Sequence, residues 1–295
     1  MKKIFTLIAV LFFAFSLNAQ SLFEGYWIEK ESYKWEDNTD VIIEKVKASI
    51  DTNTSIQPAQ KAMAKSMAGM IVKNALKKLE IEKYIISYPD GDYSTVVFMQ
   101  GEKNRKLAVI PELGRVLIQD CNTGELIIAF PNLKIAYRDT KDSYKSNLIT
   151  ETCQKSNLKF NADEIKTING YKCVANFAGV EADKYEGDLS TAKTLVQDGK
   201  KYVLIPAPGF VLADYNKIIV KSDISNEYAT CELNMTKMQA KKINDANYTP
   251  DLSGYKIYND YSKMVKDIKK AISKGTLAFS FDENNIPDNI WNLFK

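Results

Sequence analysis

The sequence predicts an α+β protein built on an antiparallel β-sheet, and three observations predict it. Between Glu82 and Asp139, six short apolar runs follow one another, each closed by turn residues, which is the pattern of a meander. A Met- and Ala-rich stretch over 57–79 and an amphipathic stretch over 260–274 carry helical spacing instead. The composition, 45% hydrophobic and 26% charged over 295 residues, is that of a globular chain long enough for a substantial core.

The chain opens with Lys2 and Lys3, an apolar stretch from Ile4 to Phe15, and a small residue, Ala19. This reads as a secretory signal peptide over 1–19, cleaved after Ala19 to leave a soluble periplasmic or secreted protein. The stretch is shorter than the about 20 apolar residues a membrane span needs, and no other segment approaches that length. No cysteine follows the cut to carry a lipid, because Gln20 and Ser21 stand there. Removing 1–19 takes away two lysines and no acid, so Lys+Arg falls from 40 to 38 against 37 Asp+Glu, and the net charge falls from +3 to +1. That balance implies neither a nucleic acid nor an anionic membrane as partner.

After the cut, Leu22 to Lys34 reads as a first strand, with Trp27 and Trp35 adding bulk. Glu36 to Asp40 is a polar break, and Val41 to Ile50 fits either strand or helix. Gln57 to Leu79 reads as one helix, with Ser55 as cap and Pro58 in the first turn. Ala59, Met63, Met67, Met70 and Ile71 share one face of it, while Val72, Leu76 and Leu79 fall nearly opposite, so the helix demands apolar contact on two sides. Methionine fills irregular space and re-packs easily. The helix is therefore either a lid over an apolar cavity or a core helix with Met as filler.

The meander then runs Glu82–Tyr88, Tyr93–Gln100, Lys106–Ile110, Arg115–Cys121, Glu125–Phe130 and Lys134–Arg138, its turns marked by Pro89-Asp90-Gly91, Gly101 to Asn104, Pro111 to Gly114, Asn122 to Gly124 and Pro131-Asn132. Asn147 to Phe160 reads as weaker extended structure, broken at Asn161-Ala162-Asp163. Ile165–Phe177, Lys201–Ile205, Gly209–Asp214, Lys217–Lys221 and Tyr228–Lys242 supply a second sheet-forming half. Residues 259–295 form a C-terminal unit. Asn259 or Asp260 caps a helix with Tyr261, Met264, Val265, Ile268, Ala271 and Ile272 on its apolar stripe, lysines on the rest and Gly275 as the stop. Thr276–Phe281 reads as a short strand and Ile286–Phe294 as a tail that folds back.

Cys121, Cys153, Cys173 and Cys231 are an even count in an exported chain, which makes them disulfide candidates with three open pairings. No two lie closer than 20 residues and the chain has no histidine, so a soft-ligand metal site is not predicted. The same absence removes Ser-His-Asp and Cys-His catalysis. No G-x-S-x-G, P-loop or dinucleotide fingerprint occurs either. The sequence therefore predicts no catalytic residue, no cofactor and no enzyme.

Four stretches resemble, in content and order, the exported Gram-negative proteins of the LolA-like lipoprotein-carrier fold. Lys166-Thr167-Ile168-Asn169-Gly170-Tyr171-Lys172-Cys173 resembles their I-x-G-Y-x-C strand opening, and Gly101-Glu102-Lys103-Asn104-Arg105 is similar to their G-x-K-x-R turn. Asp120 through Gly124 to Pro131 resembles their D-x-x-x-G-x-x-x-x-x-x-P hairpin, and Ile243 to Tyr255, with Asp245, Tyr248, Pro250 and Gly254, is similar to the D-x-x-F-x-x-P-x-G-Y end of their domain. The likeness covers about 82–258 and departs from one subgroup's Gly-Leu-Pro-Gly-Leu-Ile at Ala207-Pro208-Gly209-Phe210-Val211-Leu212. It implies one domain over 20–258, a strongly curved antiparallel half-barrel with helices on its concave face, enclosing an apolar cavity for acyl chains. The expected ligand-binding residues are Met63, Met67, Met70 and Ile71 from the helix and Tyr84, Ile86, Val97 and Met99 from the sheet. The expected partner is a hydrophobic small molecule or acyl chain. The competing expectation is a non-enzymatic envelope protein with a packed core and a protein partner.

Overall fold

The computed structural model describes residues 23–53, 56–85, 88–140, 158–197, 199–215 and 218–295. Expectations for the signal peptide, for Ser55, for Ile86 and for Cys153 lie outside them.

One open, thirteen-stranded sheet organises the molecule, in the order β13-β6-β5-β4-β3-β2-β1-β12-β11-β10-β8-β7, with β9 paired to β10 off that path. β1 (Glu24–Trp35) is the hinge of the topology, pairing antiparallel with both β2 and β12 and so joining two halves. The first half is the expected meander: β2 (Gly91–Gln100), β3 (Arg105–Ile110), β4 (Arg115–Asp120), β5 (Glu125–Phe130) and β6 (Ile135–Thr140). The second half contains β7 (Leu158–Ile168), β8 (Tyr171–Glu181), β9 (Thr194–Gln197), β10 (Lys200–Leu212), β11 (Ile219–Ser225) and β12 (Ala229–Ala240). A strand the sequence reading missed, β13 (Lys256–Tyr258), runs parallel to β6. Among the described residues four helices accompany the sheet: α1 (Thr39–Thr52), α2 (Pro58–Ser66), α3 (Ala68–Ile85) and α4 (Tyr261–Ile272).

The turns follow their residues. Pro111–Leu113 and Pro131–Leu133 are single 3-10 turns, each ended by a left-handed residue, Gly114 at φ 56° and Lys134 at φ 53°. Proline suits the first position because its missing N–H would have no partner there. Asn169 and Gly170, both at positive φ, join Ile168 to Tyr171 in a two-residue hairpin, the sequence that such a turn favours. The break foreseen at Asn161 to Asp163 is a register shift inside β7, between Asn161 and Ile165. Pro206 and Pro208 do not divide β10 into two strands as expected. They shift its register between Pro206 and Phe210 instead, because proline cannot donate to the ladder.

Three further expectations are corrected. Glu82–Tyr88 is not a strand, since α3 continues to Ile85. The Lys-, Leu- and Glu-rich sequence up to Ile85 propagates helix, and Pro89 disfavours helical backbone at the residue before it. The expected helix over 57–79 is two helices meeting at Met67, which sits at φ −89° and ψ −5°. Two apolar stripes facing different partners are served better by a break than by one straight axis. Thr276–Phe281 forms no strand; Phe279 N–H donates to the Pro111 carbonyl at 3.1 Å and the segment runs on as tail. Val41–Ile50 resolves as helix, because Asn38 caps α1 by accepting from the N–H groups of Asp40 and Val41. Asp260 caps α4 in the same way, accepting from Ser262.

Both faces of the sheet's first half are buried. Trp27, Val97, Met99, Ile128 and Tyr137 share one core with Met264, Val265 and Ile268 of α4. Ile28, Phe98, Val109 and Ile127 share the other with Ile243, Tyr248, Ile290 and Trp291. Hence the unbroken Val96-Val97-Phe98-Met99 rather than an alternation. The tail is fastened through buried Asn247, which accepts from Ile290 N–H and whose carbonyl accepts from the Trp291 indole. A third core sets Val72, Ala75 and Leu79 of α3 and Ile42 of α1 against Trp35, Tyr228 and Ala229.

Candidate functional site

An apolar groove of about 250 Å³ lies where α1, α2 and the start of α3 meet the turn before β12. Its walls are Val46 and Ile50 of α1, Ile56, then Met63, Met67 and Ile71, with Tyr228 at its base and Ser49, Asn53, Gln60 and Glu227 among its polar lining residues. α2 buries none of its residues, so the groove is walled on that side by a helix with little else to pack against. Met63 is 64% exposed and closes nothing over itself.

Three of the expected ligand-binding residues, Met63, Met67 and Ile71, therefore come together, although not against the sheet. Met70 is corrected: it points outward, 56% exposed, and is not among the groove's lining residues. Val97 and Met99 are corrected too, because they lie in the core under α4. Tyr84 belongs to the last turn of α3 and not to a sheet strand. The face of β2 that was to line a cavity is filled by the protein's own side chains.

A buried polar cluster on that same face went unread. Glu29 and Glu31, 7% and 5% exposed, stand two residues apart on β1. The Trp27 indole donates to Glu29 at 2.6 Å. Tyr33 and Tyr88 donate to Glu31 at 2.8 and 3.1 Å, and Thr95 lies 3.0 Å from the Tyr88 hydroxyl. The fully buried Arg115 guanidinium sits over the Tyr88 ring at 4.8 Å. Burial, then the neighbouring Glu31, pushes Glu29 up to about 7. Burial likewise raises Glu31 and lowers Lys106, while Arg115 and the hydroxyl donors oppose the rise at Glu31. The signal was parity. Phe23, Trp27, Tyr33 and Trp35 occupy odd positions of this segment, and Glu29 and Glu31 interrupt that buried series while Lys30, Ser32 and Lys34 face water.

The turn residues that carry the resemblance converge as a structural tie. Arg105 pairs with Asp120 at 2.7 Å and lies over Tyr248, and Lys103 and Gln100 hold Asp245 at 2.6 and 2.7 Å. These contacts fasten the β2–β3 turn to the single turn of helix at Asp245–Tyr248. Among the cysteines, Cys173 and Cys231 are free and buried, which corrects their place as disulfide candidates. They occupy β8 and β12, three strand positions apart, or about 14 Å at about 4.8 Å per strand, twice the reach of a disulfide. Burial pushes the Cys231 thiol up to about 12. Cys121 carries no free thiol.

No group of three or more His, Cys, Asp or Glu side chains able to hold a metal occurs among the described residues. No helix among them is long and apolar enough to cross a membrane. No known family model matches the chain, and no characterised protein matches it significantly.

Proposed function

We propose that this chain is an exported, non-enzymatic binding protein of the LolA-like carrier class, holding the apolar part of a small molecule or acyl chain in the groove between α1, α2 and α3. The observation that carries the reading is the groove itself, about 250 Å³ and walled by Val46, Ile50, Met63, Met67 and Ile71. That volume falls just short of the about 300 Å³ at which drug-sized pockets begin, and exceeds the about 150 Å³ that admits benzene. It suits a segment of chain, not a whole lipid. Each methylene withdrawn from water contributes about 0.8 kcal/mol before binding costs. Export is supported by Lys2, Lys3, the apolar stretch and Ala19, and class membership by the four motifs. The half-barrel curvature belongs to this proposal.

The test is native mass spectrometry of detergent-free protein, followed by organic extraction and titration with a fluorescent acyl probe. Ala64→Trp, which fills the groove, and Met67→Asp should abolish probe binding, whereas Met99→Leu, in the core under α4, should leave it intact. An empty protein that fails to bind the probe up to about 1 mM overturns the reading. It would favour an envelope interaction protein, a reading supported by the sheet face being filled by Trp27, Val97, Ile128 and α4.

A further inference from the structure

The overall charge conceals a strong asymmetry. Residues 57–85 hold six lysines and two glutamates, and residues 259–275 hold five lysines and two aspartates, a net +7. Residues 20–295 together sum to +1, so everything outside these helices carries −6. The fold then sets the two basic segments side by side: Lys269 of α4 is ion-paired with Glu80 of α3.

On α4 and the turn that follows it, Lys263, Lys266, Lys270 and Lys274 recur at intervals of three and four, and all are exposed, while Met264, Val265, Ile268 and Ala271 are buried on the other side of the helix. On α3, Met70, Lys73 and Lys77 form the same kind of outward row. The nearby acids are committed elsewhere, Asp267 to Lys256 and Tyr258, and Glu80 to Lys269. Among the described residues no ion pair is formed by Lys73, Lys77, Lys263, Lys266, Lys270 or Lys274.

We propose that this outward face of α3 and α4 docks the protein on an anionic lipid surface. Charge complementarity carries the attraction, since each lysine near such a surface strengthens binding about fivefold. Two features favour lipid over a nucleic acid. The three arginines all lie in β3, β4 and β6, away from this face, so the planar forks that grip phosphates in pairs are missing from it. Met70, 56% exposed, supplies an apolar side chain in the same outward row as Lys73 and Lys77, which suits an interface where apolar groups enter and lysines reach outward. This inference goes beyond the groove reading and does not require the groove to hold a ligand.

The experiment is co-sedimentation of residues 20–295 with phosphatidylcholine vesicles, with and without phosphatidylglycerol. It is run at about 0.1 M and about 1 M salt, where screening lengths are about 10 and about 3 Å. Binding is expected only with phosphatidylglycerol and only at the lower salt. Replacing Lys263, Lys266, Lys270 and Lys274 together by Gln, all exposed on α4 or the turn after it, should weaken it several hundredfold, at about fivefold per lysine. The same number of glutamines at Lys34, Lys172, Lys201 and Lys242, exposed on other elements, should cost far less. Met67→Asp should leave vesicle binding in place, which separates this inference from the groove reading. Equal binding to neutral vesicles, an unaffected α4 variant, an equal loss in the scattered variant, or binding to polyanionic nucleic acid without binding to vesicles would each overturn it.

Discussion

Replacing Glu29 by Gln should flatten the pH dependence of stability between pH 5 and pH 8. Glu29 is buried beside Glu31, and its carboxyl is raised from 4.5 to about 7. An acid whose native value lies above its unfolded value holds its proton more tightly when folded. Its contribution is therefore fully present below about pH 4.5 and is lost as pH rises to about 7. At about 1.36 kcal/mol per pH unit, the loss across that interval is about 3 kcal/mol, a large share of the about 5–15 kcal/mol typical of a folded chain. Glu31, raised for the same reason, adds in the same direction. The exposed carboxylates paired with lysines, such as Glu181 at about 2 and Asp245, are lowered instead and act at more acid pH, so the window isolates the core pair. Glutamine keeps an oxygen to accept the Trp27 indole proton and removes the charge. Urea titrations at pH 5, 6, 7 and 8 should show the native protein losing about 3 kcal/mol and the Gln variant losing far less, with the variant the more stable at pH 8. A native protein whose stability is flat or rises over this range, or a variant with the native slope, refutes the assignment.

Thiol titration of denatured, unreduced protein should count two thiols, Cys173 and Cys231, while the native protein reacts slowly because both are buried and burial raises them; a count of zero or four contradicts this. Gly114→Ala should cost at least about 2 kcal/mol in a urea melt, combining a left-handed residue with a Cβ that would sit 1.9 Å from the Leu277 carbonyl oxygen. Lys134→Gly at the matching turn, φ 53°, should be nearly neutral, with relief of the left-handed backbone offset by the loss of the lysine's position over the Tyr255 ring. A harmless Gly114→Ala would show that the tail does not press on this turn.

Much of the fold was legible because its signals are local. Proline, glycine and asparagine at fixed offsets mark the β2–β6 turns and the Asn169-Gly170 hairpin, and Asp260, the apolar stripe and Gly275 delimit α4, since each acts within a few residues of its own backbone. Local signals also misled, for Glu82–Tyr88 is apolar enough for a strand, yet the preceding helix extends through Ile85. Three of the four expected helix-side residues, Met63, Met67 and Ile71, were readable from the face those residues share. What covers that face was not, because α1 and Tyr228 reach it only through the tertiary fold. The amino-acid order by itself determined which residues turn, which alternate and where lysines recur. Only the tertiary structure decided that β1 joins β2 to β12, that Glu29 and Glu31 are sealed in a core, and that two lysine-rich helices meet through Glu80 and Lys269, 189 residues apart in the chain. Pairings over such separations depend on which surfaces bury each other best, a property of the folded chain as a whole and of no single stretch of it.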